Sequence, residues 1–152
     1  MQQQSLTLFA DYFQFYVQDE GINPDAPTEW NDADVERRLK AAPNVVVVCP
    51  VRNMTVPVTV QVFDKEPQYD PSQWHHIAEC SLALPTGKLQ IHECTGGSVG
   101  RFTVSPGNYG LRAFYGSLVS LRDNDLEGDD HYLVVLWPSP PIELKVLKQH
   151  PL

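Results

Sequence analysis

PNVVVVCPVRNMTVPVTVQVF, residues 43 to 63, decides the fold. Its first half holds Val45-Val46-Val47-Val48, a β-branched run with no polar interruption, which predicts a strand buried on both faces. Cys49-Pro50 ends or bends that strand. From Met54 to Phe63 the chain alternates, with Val56, Val58, Val60 and Val62 on one face and Thr55, Thr59 and Gln61 on the other. That period of two is a half-buried strand, and Pro57, which lacks an N–H, marks an edge or a bulge. Working towards the C-terminus, Trp74 to Leu84 and Leu89 to Cys94 read as strands around Pro85-Thr86-Gly87-Lys88, a tight turn that predicts an antiparallel hairpin. Arg101 to Val104, Tyr109 to Leu118 and Ile142 to Leu147 add further strands, with a type II turn at Ser105-Pro106-Gly107-Asn108. His131 to Trp137 is the most apolar strand and is expected at the centre of a sheet.

Working towards the N-terminus, Thr28 to Ala42 is the one convincing helix, capped by Asn31 or Asp32, with Val35, Leu39 and Ala42 as its buried stripe and Trp30 as an anchor. Leu6 to Val17 is apolar on both faces and predicts a single first strand in the middle of a sheet. The expectation is a mostly β protein: a two-layer β-sandwich or jelly-roll-like barrel of eight or nine strands with one short helix after the first strand. One domain spans residues 1–152, with no internal repeat. The 13 prolines spread along the chain agree, because they break long helices and mark turns.

The formal charge of -8, from 19 acids against 11 Lys and Arg, repels a phosphate backbone and excludes a nucleic-acid binder. Two stretches carry it. Before Arg37 stand Asp11, Asp19, Glu20, Asp25, Glu29, Asp32, Asp34 and Glu36 without a basic residue, and Asp123, Asp125, Glu127, Asp129 and Asp130 crowd into one loop. The 3 cysteines, Cys49, Cys80 and Cys94, are odd in number and read as free, buried thiols. No apolar run approaches the roughly 20 residues that span a bilayer, and the first residues lack the basic start of a signal peptide. These features predict a cytoplasmic protein without membrane insertion.

The acidic loop imitates a calcium loop over its first six positions, but its twelfth is Val134 where a bidentate glutamate is needed, and strands flank it. His75, His76 and His92, with Cys80 and Cys94, match no zinc spacing, and adjacent histidines on a strand point to opposite faces. Asp130-His131 with Ser117 or Ser120 is a triple that any domain of this size offers by chance. Gly96-Gly97-Ser98-Val99-Gly100 lacks the lysine and helix of a phosphate cradle and reads as a flexible loop. No catalytic residue, metal or cofactor is predicted. Asp123, Asp125, Glu127, Asp129 and Asp130 read either as a solvated connecting loop or as the partner-binding residues of a non-enzymatic binding protein, since clustered carboxylates imitate nucleic-acid phosphates and steer a basic partner. The acidic N-terminal third is the other candidate face. The alternative function is a small-ligand or carbohydrate-binding β-sandwich, with Trp30, Trp74 and Trp137 as stacking platforms.

The order of features resembles the competence protein J (ComJ) family, inhibitors of the DNA-uptake nuclease, and related bacterial proteins. The residues that carry the resemblance are Tyr12-Phe13-Gln14-Phe15, Glu29-Trp30-Asn31-Asp32 before a short helix, the Val-rich strand with Arg52-Asn53 after it, and Ser105-Pro106-Gly107-Asn108-Tyr109. Asp129-Asp130-His131-Tyr132 and Trp137-Pro138 are similar to the broader group of relatives. The resemblance implies an inhibitor or immunity-type protein that occludes a nuclease or toxin, its basic partner met by acidic surface residues.

Overall fold

The computed structural model describes residues 1–120 and 127–151. Its strands are β1 (Gln2–Phe9), β2 (Phe15–Asp19), β3 (Leu39–Ala42), β4 (Val45–Val48), β5 (Thr55–Val62), β6 (His76–Leu84), β7 (Lys88–Glu93), β8 (Ser98–Thr103), β9 (Gly107–Gly116), β10 (His131–Pro138) and β11 (Lys145–Lys148), with one α-helix, α1 (Asp32–Arg37). A six-stranded sheet in the order β1-β5-β10-β9-β6-β11 faces a five-stranded sheet in the order β3-β4-β2-β7-β8. The layers form an open sandwich rather than a closed barrel. Eleven described strands exceed the eight or nine expected, chiefly because two expected elements each divide in two.

The core lies between the sheets. Val56, Val58, Val60 and Val62 of β5 face Phe15 and Val17 of β2, Val46 and Val48 of β4, and Leu89 and Ile91 of β7. Each such side chain contributes about 1.5–3 kcal/mol on full burial, so the alternation read from residues 54–63 is also what drives the layers together. β4 is buried at all four positions, as its uninterrupted valines require. β10 sits third of six, pairing parallel with β5 and antiparallel with β9. Pro57, expected at an edge or a bulge, lies on an inner strand without either. Its β1 neighbour is Thr7, and the β10 ladder begins only at Val58, so no β10 residue pairs with Pro57.

Three further expectations need correction. Residues 6–17 are two strands, one in each sheet, because the chain turns at Ala10–Gln14 and crosses the sandwich. Tyr12 and Phe13 make that turn with φ of 57° and 59°. The inward residues are Leu8 and Ala10 before it and Phe15 and Val17 after it. This change of parity is the cause of the apparent two-faced apolarity. The helix covers only Asp32–Arg37; Asn31 caps it in a reciprocal box with Asp34, and Arg38 ends it at φ 59°. Leu39–Ala42 then pairs with β4 instead of continuing the helix, since six helical residues cannot outweigh a ladder of backbone hydrogen bonds.

Residues 74–84 and 89–94 do not pair with one another. Gly87 N–H does donate to the Leu84 carbonyl at 3.1 Å, closing the expected tight turn. That turn, however, passes the chain from β6 in the larger sheet to β7 in the smaller. A β-carbon at Gly87, where φ is 71°, would stand 2.3 Å from the Val104 carbonyl oxygen, so the corner demands glycine. The glycine-rich stretch 96–100 likewise runs into β8 from Ser98 onward rather than remaining a loop.

Candidate partner-binding end of the sandwich

Strand pairing brings distant parts of the sequence to one end of the sandwich. Phe9 lies opposite Thr55, Tyr132 opposite Val58, Phe15 opposite Val48, and Leu39 also opposite Val48. The turn at residues 10–14, the segment 49–54, the C-terminal end of α1 and the residues preceding β10 therefore meet there. Four of the stretches that carry the sequence resemblance, around Tyr12, Trp30, Arg52 and Asp130, gather at this end. Ser105–Asn108 lies at the other.

Arg52 and Asn53 organise the convergence. Arg52 Nε donates to Asp130 Oδ1 at 2.5 Å, and the Tyr132 hydroxyl donates to Asp130 Oδ2 at 2.6 Å. The same hydroxyl accepts from Val51 N–H at 2.9 Å. Burial first, and then the Asp130 carboxylate, push the Tyr132 phenol well up, so it remains a donor. Asn53 Oδ1 accepts from Tyr12 N–H at 2.9 Å, and Ala10 N–H donates to the Met54 carbonyl at 3.0 Å. Asp11 accepts from Tyr12 N–H through Oδ1 and from Thr95 Oγ1 through Oδ2.

This arrangement separates the five acidic residues of the predicted site. Asp130 is 1% exposed and bonded to Arg52 and Tyr132, so its expected place on a contact surface is corrected: its carboxylate is buried just ahead of β10. Glu127 and Asp129 are exposed just ahead of Asp130. Asp123 and Asp125 lie outside the described residues. The N-terminal acids divide in the same way. Asp19 and Asp34 are buried, Glu20 pairs with Arg101 at 3.0 Å, and Asp25, Glu29, Asp32 and Glu36 are exposed. Asp34 binds Lys40 at 2.7 Å and Arg37 at 3.1 Å; the Lys40 ammonium above all holds its carboxyl down to about 2.

Sequence reasoning missed the aromatic turn. Tyr12 is 67% exposed and Phe13 48%, although both stood in what read as a buried strand. Left-handed backbone costs an L-residue about 1–2 kcal/mol, and here two consecutive aromatic residues adopt it while facing solvent. The available signal was the switch of inward residues from even to odd numbers across Asp11. Val35, placed in a buried stripe, is 51% exposed, and Trp30 is half-buried with the Lys40 ammonium 5.6 Å from its ring.

The other candidate chemistries are placed elsewhere. His76 Nε2 lies 2.7 Å from the Arg37 carbonyl and Nδ1 accepts from His150 N–H at 3.1 Å, so the ring is a neutral donor-acceptor; burial pushes its pKa down to about 4. His75 accepts from Leu118 N–H at 2.9 Å, and His92 stacks on Tyr16. Cys80 is on β6 and Cys94 follows β7, in opposite sheets, and burial pushes the Cys49 and Cys80 thiols up to about 12. Among the described residues no three His, Cys, Asp or Glu side chains are grouped to hold a metal. The Asp130 carboxylate, held by Arg52, is not available to orient His131. Of the three tryptophans, Trp137 is buried against the Arg112 guanidinium at 4.7 Å, while Trp74, packed on Phe114, and Trp30 are half-buried and each line a surface concavity. No described helix is long and apolar enough to cross a membrane.

A two-sheet sandwich with this architecture defines a ComJ-like fold. The crystal structure of ComJ from Bacillus subtilis, described as an inhibitor of the DNA-degrading activity of NucA, matches with a TM-score of 0.68 at 16% identity, covering 91% of this chain and 96% of that one. A second solved structure, crocagin biosynthetic gene J, matches with a TM-score of 0.57 at 18% identity, covering 92% of this chain and 100% of that one. No protein-family model and no curated protein sequence matches the chain.

Proposed function

We propose that this protein is a non-enzymatic inhibitor that occludes a nuclease, with acidic side chains of the convergent end meeting a basic partner. The observation that carries the reading is that exposed Glu127 and Asp129, just ahead of the buried Asp130, and the exposed Tyr12-Phe13 turn belong to the same end of a fold shared with a nuclease inhibitor. A rigid base under exposed carboxylates lowers the cost of ordering them on contact, and close charge pairs across such interfaces couple by about 1.5–7 kcal/mol. Asp123 and Asp125 extend the acidic face in sequence. Asp130 is buried and makes no contact. The setting is cytoplasmic and reducing, which the unpaired state of Cys49, Cys80 and Cys94 supports.

The test is a pull-down of the tagged protein from its host lysate at low and moderate salt, followed by a nuclease assay on whatever is retained. A basic nuclease that elutes as salt rises, and whose activity falls when purified protein is added back, is the expected result. Retention of no nuclease, or retention without loss of activity, overturns the proposal.

A further inference from the structure

We infer that a groove of about 410 Å³ at the convergent end is a socket for an apolar side chain presented on a basic segment of a partner protein. The inference deepens the inhibitor reading and takes the nature of its partner from it. Cys49, Pro50 and Val51 line the groove together with Tyr12 and Phe13 of the left-handed turn and with Trp30 and Val35 of the α1 region. Tyr12, Phe13 and Val35 are among the most exposed large hydrophobic residues described, and they lie around a single concavity rather than being scattered. The Asn53 and Asp11 side chains that bind Tyr12 N–H hold the turn in a conformation its own residues disfavour. Aromatic anchors fixed in this way lose little freedom on binding, which is the property of interface hot spots.

The charge around the groove selects the partner. Val35 lies on α1 between Asp32 and Glu36, which share a helical face, and Glu29 precedes Trp30; all three carboxylates are exposed, and none has an ion pair among the described residues. The nearby cations are already engaged: Arg37 and Lys40 hold Asp34, and Arg52 holds Asp130. Arg38, which also lines the groove, is half-buried, so three exposed carboxylates stand against one partly covered cation. An apolar groove whose lining residues Trp30 and Val35 have the exposed carboxylates of Glu29, Asp32 and Glu36 as chain neighbours complements an apolar side chain flanked by lysine or arginine.

Two synthetic peptides test this on the intact chain, one with a phenylalanine flanked by lysines and arginines, the other with the same phenylalanine flanked by glutamates. In ¹⁵N-labelled protein the basic peptide is expected to shift the Phe13 and Val35 amide signals and the Trp30 indole signal, and the acidic peptide to shift none. Val35→Lys, at an exposed position, should weaken the basic peptide at least about tenfold. Phe13→Gly, which keeps the left-handed turn without a β-carbon, should do the same while the remaining spectrum stays native. No shift with the basic peptide, shifts confined to Glu127 and Asp129, or undiminished binding by both variants overturns the inference. The two proposals fail separately. If both variants inhibit a captured nuclease as well as the unmodified chain does, the socket is lost and the inhibitor reading stands; if the peptide binds the groove but no nuclease is inhibited, the reverse holds.

Discussion

At one end of the sandwich Asp19 is wholly buried among neutral donors; at the other, Asp130 is buried against a cation. Asp19 accepts from Ile22 N–H at 3.0 Å, Thr86 N–H at 2.9 Å and Thr86 Oγ1 at 2.5 Å, tying the loop after β2 to the corner between β6 and β7. Burial alone would raise its pKa, but these hydrogen bonds together outweigh burial and lower it. Asp130 is tied to Arg52, which lies 78 residues away, at the end of the sandwich that also carries the exposed Tyr12 and Phe13. The contrast shows that a carboxylate's role follows from what reaches it: neutral donors from Ile22 and Thr86 lock a corner around Asp19, whereas the Arg52 cation fixes Asp130 at the start of β10.

The largest expected effect tests the Arg52–Asp130 pair. Arg52→Met leaves the Asp130 carboxylate buried beside Tyr132 and should cost about 3–5 kcal/mol in urea unfolding, with Arg52→Met/Asp130→Leu recovering much of the loss. Equal loss in the single and double variants would show that the pair is not coupled.

Acid should distinguish the two ends. The folded pKa of His76, about 4, is below its ordinary 6.5, so between those values the unfolded chain binds the proton and the folded chain does not. Stability therefore falls as pH drops from about 6.5 to 4, by up to roughly 3 kcal/mol, and the loss levels off below that. His150, also lowered by burial, acts in the same direction. At the opposite end, the stabilisation from Asp19 is fully present above its ordinary 3.8 and is lost only as pH falls through its lower folded value. Hydrogen exchange should find residues near His76 losing protection at a higher pH than those near Asp19, and His76→Phe should flatten the upper limb. Simultaneous loss at both ends would break the comparison.

Asp19→Asn keeps the shape but weakens charge-assisted acceptance, and should cost about 1.5–3 kcal/mol by urea titration without changing partner capture. The smallest effect on stability is expected from Phe13→Gly: relief of left-handed strain offsets the greater freedom of the unfolded chain, leaving a change within about 1 kcal/mol. Thermal unfolding measures it, and the same variant should lose partner binding. A large destabilisation would mean that Phe13 serves the core rather than the surface.

Local patterns were legible in the chain itself. The valines of residues 45–48 and 56–62, the central position of β10, a helix cap at Asn31 or Asp32 and a tight turn within residues 85–88 all follow from side-chain alternation, β-branching or backbone conformation, which act over a few residues. The mostly β, two-layer architecture follows from those patterns. The division of the strands between sheets does not, because the turn at residues 85–88 is equally compatible with a hairpin and with a corner; the choice rests on Asp19, Val104 and the strands that β6 and β7 join. For the same reason Asp129 and Asp130 are indistinguishable as neighbours in sequence, yet one is exposed and the other buried. Amino-acid type alone determined charge and local backbone preference, whereas burial and partnership were decided by tertiary structure, because they depend on groups such as Arg52 that only the folded chain brings within reach.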